Sequence, residues 1–196
     1  MIRLLDGVYV WSAFDPAKRF NFNGHLLKTG EGVVLVDPVP MSPDDLAYVE
    51  TAGLRPDELV ITNRNHLRDR GAVVARWGTP TALHAAEIDE AGLQPERALR
   101  GGDVVRGLRV VELPGKSPGE IGLYWPERRL LLLGDALIAP YGALKTVPLD
   151  KQDDPARLRS SLRTLLALDF DVLLVGDGDP ILRGAKDAVA AFLGAR

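Results

Sequence analysis

Four short apolar runs, each closed by a polar turn, constrain the fold of this chain most. Val33-Val34-Leu35-Val36 runs into Asp37-Pro38, and Leu59 to Thr62 runs into the loop Thr62 to Gly71, which reads TNRNHLRDRG. Leu130 to Leu133 ends in Gly134-Asp135, and Val172 to Val175 ends in Gly176-Asp177-Gly178-Asp179-Pro180. Runs this short, apolar and bounded by turn residues read as buried strands. A fifth turn, Pro114-Gly115-Lys116-Ser117-Pro118-Gly119, follows the strand-like stretch Leu108 to Leu113. Ligand sites in layered α/β folds gather at the carboxyl ends of strands, so these five loops are expected to converge.

Helical segments separate the runs. Ser42-Pro43-Asp44-Asp45 is a helix start, with serine as the cap, proline in the first turn and acids beside it. Further helices are expected from the end of the 62–71 loop to near Gly78, over Ala85 to Ala91, over Asp154 to Leu168 and over Ala185 to Leu193. Pro126-Glu127-Arg128 joins Gly122–Trp125 to Arg129–Leu133 as a hairpin. Leu4–Trp11, His25–Lys28 and Thr81–His84 complete the predicted strands, with Phe20–Gly24 as a polar-aromatic connection. Alternating strands and helices interrupted by a hairpin point to a mixed sheet with helices packed outside, not a simple doubly wound sheet. With 196 residues, residues 1–196 are expected to form one domain.

Composition narrows the partners. The net charge of -3 gives no basic field for nucleic acid. The absence of cysteine excludes disulfides and thiolate metal sites. No apolar run approaches the ~20 residues of a membrane-spanning helix, and the first residues lack the apolar core of a signal peptide. A cytoplasmic protein is expected, with a small molecule as ligand, no membrane or nucleic-acid partner, and self-association into a homo-oligomer left open.

A Gly-Asp pair after a strand is by itself ordinary turn chemistry, the carboxylate bonding nearby backbone N–H groups. Several such carboxylates in one pocket repel one another, so they require a cation or basic side chains. His66 is the one histidine inside a candidate loop; His25 and His84 lie in strand-like segments and read as structural. Tyr9, Phe14, Phe20 and Phe22 either line a pocket near the site edge or pack in the core. Gly176-Asp177-Gly178 is no phosphate loop, since its acid would repel phosphate.

The order of these segments resembles the metallo-β-lactamase superfamily over nearly the whole chain. The resemblance is carried by GEGVVLVDP, ELVITNRNHLRDRG, VVELPGKSPGEIGLYWPERRLLLLGDAL and LLVGDGDP. It implies an α/β fold, a four-layer αβ/βα sandwich of two mixed β-sheets with the site at one edge. It also implies descent from hydrolases of ester, thioester, lactone, amide or phosphoester bonds. The family's first motif is Thr-His-x-His-x-Asp-His. Anchored on Thr62, its leading histidines become Asn63 and Asn65 and its Asp-His pair becomes Leu67-Arg68. Anchored on Asp69, the pair is Asp69-Arg70 and the leading positions are Asn65 and Leu67. His66 falls on a histidine position in neither register. The histidine of the turn is Lys116, the metal-bridging aspartate is Asp135, and Asp177 stands at the last histidine position.

The resemblance therefore implies loss of the usual dinuclear zinc site, because zinc favours imidazoles and a protonated lysine cannot ligate. Lys116, with Arg68 or Arg70, is expected to neutralise Asp135, Asp177 and Asp69, Lys116 pairing with Asp135 or Asp177. Asp37, Asn63, Asn65 and Arg70 are expected to line the site. No cofactor is the first expectation. A single divalent metal on Asp69, Asp135 and Asp177, with His66 or Asn65, of the magnesium or manganese type, is the alternative. Catalysis without metal would use His66 as general base with Asp69 and Lys116 beside it. The competing class is a non-catalytic protein that binds a small molecule or another protein in the same cleft.

Overall fold

Alternation within single strands sets the layering. Leu130 and Leu132 face one apolar cluster and Leu131 and Leu133 another, all fully buried. A strand apolar on both faces needs a packed layer on each. The computed structural model describes residues 1–194, and it supplies those layers as two sheets packed face to face between two helical layers.

One sheet has the order β1 (Ile2–Leu5), β2 (Val8–Asp15), β3 (Phe20–Thr29), β4 (Gly32–Val36), β5 (Glu58–Ile61), β6 (Thr81–His84) and β7 (Arg97–Leu99). Its first four strands are antiparallel, and β4 to β7 run parallel. The facing sheet comprises β8 (Val104–Val105), β9 (Leu108–Glu112), β10 (Ile121–Trp125), β11 (Leu130–Leu133) and β12 (Val172–Val175), in the spatial order β12-β11-β10-β9-β8. Only β11 and β12 pair in parallel there. Leu27, Val34, Val36 and Val60 from one sheet meet Val110, Leu123, Leu132 and Leu174 from the other in the central core.

Helices α1 (Pro43–Thr51) and α2 (Arg70–Trp77) cover the outer face of the first sheet through Val49, Val73 and Trp77. The short α3 (Ile88–Ala91) follows β6. Helices α4 (Pro155–Thr164) and α5 (Ala185–Leu193) cover the second sheet through Leu158, Leu162 and Val189. The predicted cap is present: Ser42 Oγ accepts from the Asp45 N–H, and the Asp45 carboxylate accepts from the Ser42 N–H.

Four expectations change, one being the helix expected over Ala85 to Ala91, which opens as a 3₁₀ turn over Ala85–Glu87 and is α-helical only over Ile88–Ala91. Phe20–Gly24 is not a connection but the first half of β3, since Phe20, Phe22 and Gly24 lie opposite Asp15, Ala13 and Trp11 in an unbroken ladder. Leu4–Trp11 is two strands, broken at Asp6-Gly7, where Gly7 takes φ +73°. The helix expected to Leu168 is α-helical only to Thr164 and closes in a 3₁₀ turn over Leu165–Ala167. The sheets are stitched together at the end that carries the site. Asn23 donates its amide N–H to Gly176 O (2.8 Å) and its side-chain amide to Val175 O (3.0 Å) and Gly178 O (2.7 Å). The Ile121 N–H donates to Thr62 O at 3.0 Å.

Candidate functional site

Strand ends supply most of the polar cluster. Asp37 follows β4 with φ +49°, an uncommon backbone state for a residue with a side chain. Its carboxylate accepts from the Thr62 N–H (2.8 Å) and the Thr62 hydroxyl (2.6 Å). After β5, Asn63 caps a single 3₁₀ turn, Arg64–His66, by accepting from the Asn65 N–H at 2.9 Å. That turn aims Asn63, Asn65 and His66 inward. Arg68 follows with φ +34°. Asp135 and Asp177 leave the ends of the parallel strands β11 and β12.

Two glycines permit the close approach. A Cβ on Gly134 would lie 2.3 Å from Thr62 Oγ1 and 2.6 Å from Glu120 Oε1, and one on Gly176 would lie 2.8 Å from His66 Cε1. The turn that presents Lys116 is held by the N-terminus of α4. Asp154 N–H donates to Gly115 O (2.7 Å), Asp153 N–H to Lys116 O (3.2 Å) and Ser161 Oγ to Pro114 O (2.7 Å).

Every charged group in the cluster has a partner. Lys116 Nζ donates to Asn63 Oδ1 (3.0 Å) and Asn65 Oδ1 (2.5 Å), and it pairs with Asp135 Oδ2 at 3.0 Å. His66 lies between two carboxylates, Nδ1 at 2.7 Å from Asp37 and Nε2 at 3.1 Å from Asp135. Arg68 Nη2 stands 2.8 Å from His66 Nε2 and 2.8 Å from Asp177 Oδ1. Its guanidinium carbon lies 4.7 Å from the centre of the Phe22 ring, a cation–π contact. Three carboxylates, Asp37, Asp135 and Asp177, thus face three basic side chains, His66, Lys116 and Arg68.

Burial works against ionisation here and the pairing reverses it. Burial lowers His66, but Asp135 and Asp37 outweigh it and raise the imidazole to about 10. Doubly protonated, the ring donates to both carboxylates, and Arg68 Nη2 then donates to Asp177. Burial raises Asp135, but His66 and then Lys116 hold its carboxyl well below the usual range. Asp37 is lowered as well, burial being overcome first by His66. For Asp177 burial prevails and the carboxyl is raised. Fully buried Glu120 is raised well above the carboxylate range, by burial and then by Asp135. It accepts from the Ala136 N–H at 3.1 Å, while its Oε2 has no hydrogen-bond partner. A neutral acid there adds no fourth negative charge.

The cluster is the floor of a cavity of about 820 Å³. One wall is Lys18, Phe20 and Phe22 of the β2–β3 hairpin; the other is Ile138 and the stretch Lys145 to Lys151. Phe20 and Phe22 line it, whereas Tyr9 is buried in the core beneath α1 and Phe14 is exposed.

Of the residues singled out in the sequence, Asp37, Asn63, Asn65, His66, Lys116, Asp135 and Asp177 come together. Asp69 and Arg70 do not. Asp69 starts α2 and lines a separate hollow of about 200 Å³ with Met41, Leu46 and Trp77, and its N–H donates to Pro38 O at 3.0 Å. Arg70 points to Thr81 Oγ1, 2.9 Å from its Nε. The 3₁₀ turn is the reason: it winds the loop so that residues 63, 65, 66 and 68 face the strand ends, and residues 69 and 70 begin the helix outside. Of the expected metal set, Asp69, Asp135 and Asp177 with His66 or Asn65 beside them, Asp69 drops out and His66, Asp135 and Asp177 remain, with donor atoms within 4.8 Å of one another and the spacing to hold an ion. Glu120 and the lysines of the cavity wall had no signal in the sequence beyond Glu120 following a Pro-Gly turn.

The sequence profile described as "Metallo-beta-lactamase superfamily" matches residues 4–193. The chain belongs to that superfamily. Among curated members, a hydroxyacylglutathione hydrolase of Fuscovulum blasticum is 25% identical over 180 residues, covering 89% of this chain and 69% of that protein. One of Anaeromyxobacter dehalogenans is 34% identical over 145 residues, covering 70% and 52%. Other hydroxyacylglutathione hydrolases, from Cereibacter sphaeroides, are matched over only 45% of their length, so this chain spans between about half and two thirds of these relatives. Among solved structures, a metallo-beta-lactamase from Pontibacter korlensis superposes with a TM-score of 0.80 at 15% identity, covering 100% of this chain and 98% of that one. TTHA1623, solved in a di-iron-bound form, superposes with 0.70 at 28% identity, covering 87% and 93%. These likenesses agree with the two mixed sheets and outer helices described above. In the superfamily register anchored on Thr62, Asn63, Asn65 and Lys116 are the positions of the histidines, and here their polar ends meet at one point beside Asp135.

Proposed function

We propose that this chain is a hydrolase-like member of the superfamily in which Lys116 and Arg68 stand in for the metal pair, and that its cleft binds a small molecule without metal-dependent hydrolysis. One observation carries the reading: the Lys116 ammonium lies within 3.0 Å of Asn63 Oδ1, Asn65 Oδ1 and Asp135 Oδ2. An ammonium supplies positive charge to the same oxygen atoms that a cation would meet, and it has no lone pair with which to join a metal shell. A dinuclear zinc centre does not fit these residues. The floor also offers no free base, since both His66 nitrogens are engaged with carboxylates. The cluster is therefore suited to shaping and holding a ligand.

Zinc uptake tests this. The variant Asn63→His, Asn65→His, Lys116→His, which restores imidazoles at the three positions, is expected to bind zinc stoichiometrically in calorimetric titration. The unaltered protein is expected to show no saturable uptake. Stoichiometric uptake by the unaltered protein contradicts the proposal.

A second reading has its own support. The donor trio His66, Asp135 and Asp177 has the spacing of a single metal site. Asp37 on Nδ1 would orient the His66 ring as outer carboxylates orient metal-bound histidines. It requires Arg68 to leave, because its Nη2 is 2.8 Å from two of the three donors. This reading predicts that Arg68→Ala gains a manganese or zinc site; the first reading predicts that Lys116, still in place, keeps such binding weak.

A further inference from the structure

The floor of the cavity is matched in charge, three carboxylates to three basic groups, but its walls are not. Lys18 and Lys145 both line the cavity, both are exposed, and neither forms an ion pair among the described residues. Among the described residues Lys151 pairs only with its neighbour Asp150, at 3.6 Å and with both side chains largely exposed, a contact too solvated to cancel its charge. The chain as a whole carries a net charge of -3. A lysine-rimmed cavity is thus a local feature and no by-product of a basic protein, and clefts lined by one sign of charge concentrate ions of the other.

The walls carry an apolar surface as well. Phe20 and Phe22 lie on one side, Ile138, Val147 and Pro148 on the other. The Tyr141 hydroxyl donates to Arg19 O, a contact between the hairpin and the 138–151 stretch. Its volume, about 820 Å³, is within the usual range for small-molecule sites.

We infer that the cleft takes a small organic anion, a carboxylate or a phosphate ester on an apolar body, with the anionic end held by Lys18 and Lys145 and the body lying on Phe20 and Phe22. The inference rests on the metal-free reading of the floor, since a bound metal would offer the anion a different anchor. It also explains why the lysines sit at the rim. The floor, matched in charge, offers an anion no net attraction, because its cations are already committed to Asp37, Asp135 and Asp177.

Isothermal titration with phenylacetate, phenyl phosphate, benzyl alcohol and phenethylamine tests it. Binding of at least one of the two anions is expected, weakening as salt rises, with the neutral and cationic probes weaker by about tenfold or more. Whichever anion is preferred identifies the head group. Lys18→Ala with Lys145→Ala is expected to weaken the anion by about tenfold or more while leaving the melting temperature unchanged, since both side chains are exposed. Equal binding of benzyl alcohol, no binding of either anion, or full binding by the double lysine variant overturns the inference. Elemental analysis of the same samples separates the two levels. Anion binding that vanishes with a chelator overturns both readings, whereas a metal-free protein indifferent to the lysines overturns this one alone.

Discussion

At the scale of single residues, ion pairing within the cluster explains how its buried acids are held. Lys116 has a side chain only 5% exposed, and Asp135 is paired with it and with His66. Removing one partner of a buried ion pair leaves an uncompensated charge, so Lys116→Met is expected to cost roughly 3–5 kcal/mol in urea unfolding. Lys116→Met with Asp135→Asn is expected to cost less than the sum of the two single changes, because the charge goes with its partner. Additive costs would show that the pair is not coupled. His66 gives a pH signature. Its folded value is raised to about 10 from 6.5, so its stabilisation is fully present below the unfolded value and is lost as pH rises through the folded one. The stability gap between the unaltered protein and His66→Gln should narrow between about pH 6 and pH 10.5. Asp37 and Asp135 are lowered instead, so their contribution is present above the ordinary carboxylate value and fades in acid. A gap that widens with rising pH would contradict the charged imidazole.

At the scale of elements, the turns decide which residues meet. Gly134 sits where Thr62 Oγ1 and Glu120 Oε1 leave no room for a methyl group. Gly134→Ala is expected to destabilise the protein by about 1–3 kcal/mol, as overpacking of a tight site does, and to weaken ligand binding along with it. Gly53→Ala is a poor control because Gly53 has φ +63°, so Gly71→Ala, where nothing lies within 4 Å, serves instead. The same elements show what the sequence could convey. Strand ends were legible at Asp37, Asp135 and Asp177, because an apolar run closed by a turn residue is a local pattern. An ion pair of Lys116 with Asp135 or Asp177 was expected from the family resemblance and the need of the carboxylates for a cation, and the structure has it on Asp135. The register of the 62–71 loop was not legible. It depends on one 3₁₀ turn capped by Asn63 and on Arg68 at positive φ, features that no periodicity reports. That is why Asp69 and Arg70 were grouped with the site and Arg68 was only one of two candidates. His66, in no family register, is fixed by Asp37 and Asp135, one 29 residues before it and the other 69 after it.

At the scale of the molecule, the residue pattern alone pointed to one mixed sheet with helices outside, and it was the family resemblance that implied the two facing sheets seen in the structure. The cavity walls did not follow, because Lys18 and Lys145 come to line one cavity only through the folding of a hairpin and a distant irregular stretch. The sandwich brings the carboxyl ends of β4, β5, β11 and β12 to one edge, and that edge gathers acids whatever neutralises them. Relatives of this fold include a protein solved with two irons; in this chain the neutralising groups are the ammonium and the guanidinium on the same edge. Elemental analysis of protein purified without chelator and dialysed against zinc and manganese tests this most directly. The account predicts substoichiometric metal in the unaltered protein. One or two tightly held metal ions per chain, lost on Asp135→Asn, would contradict it.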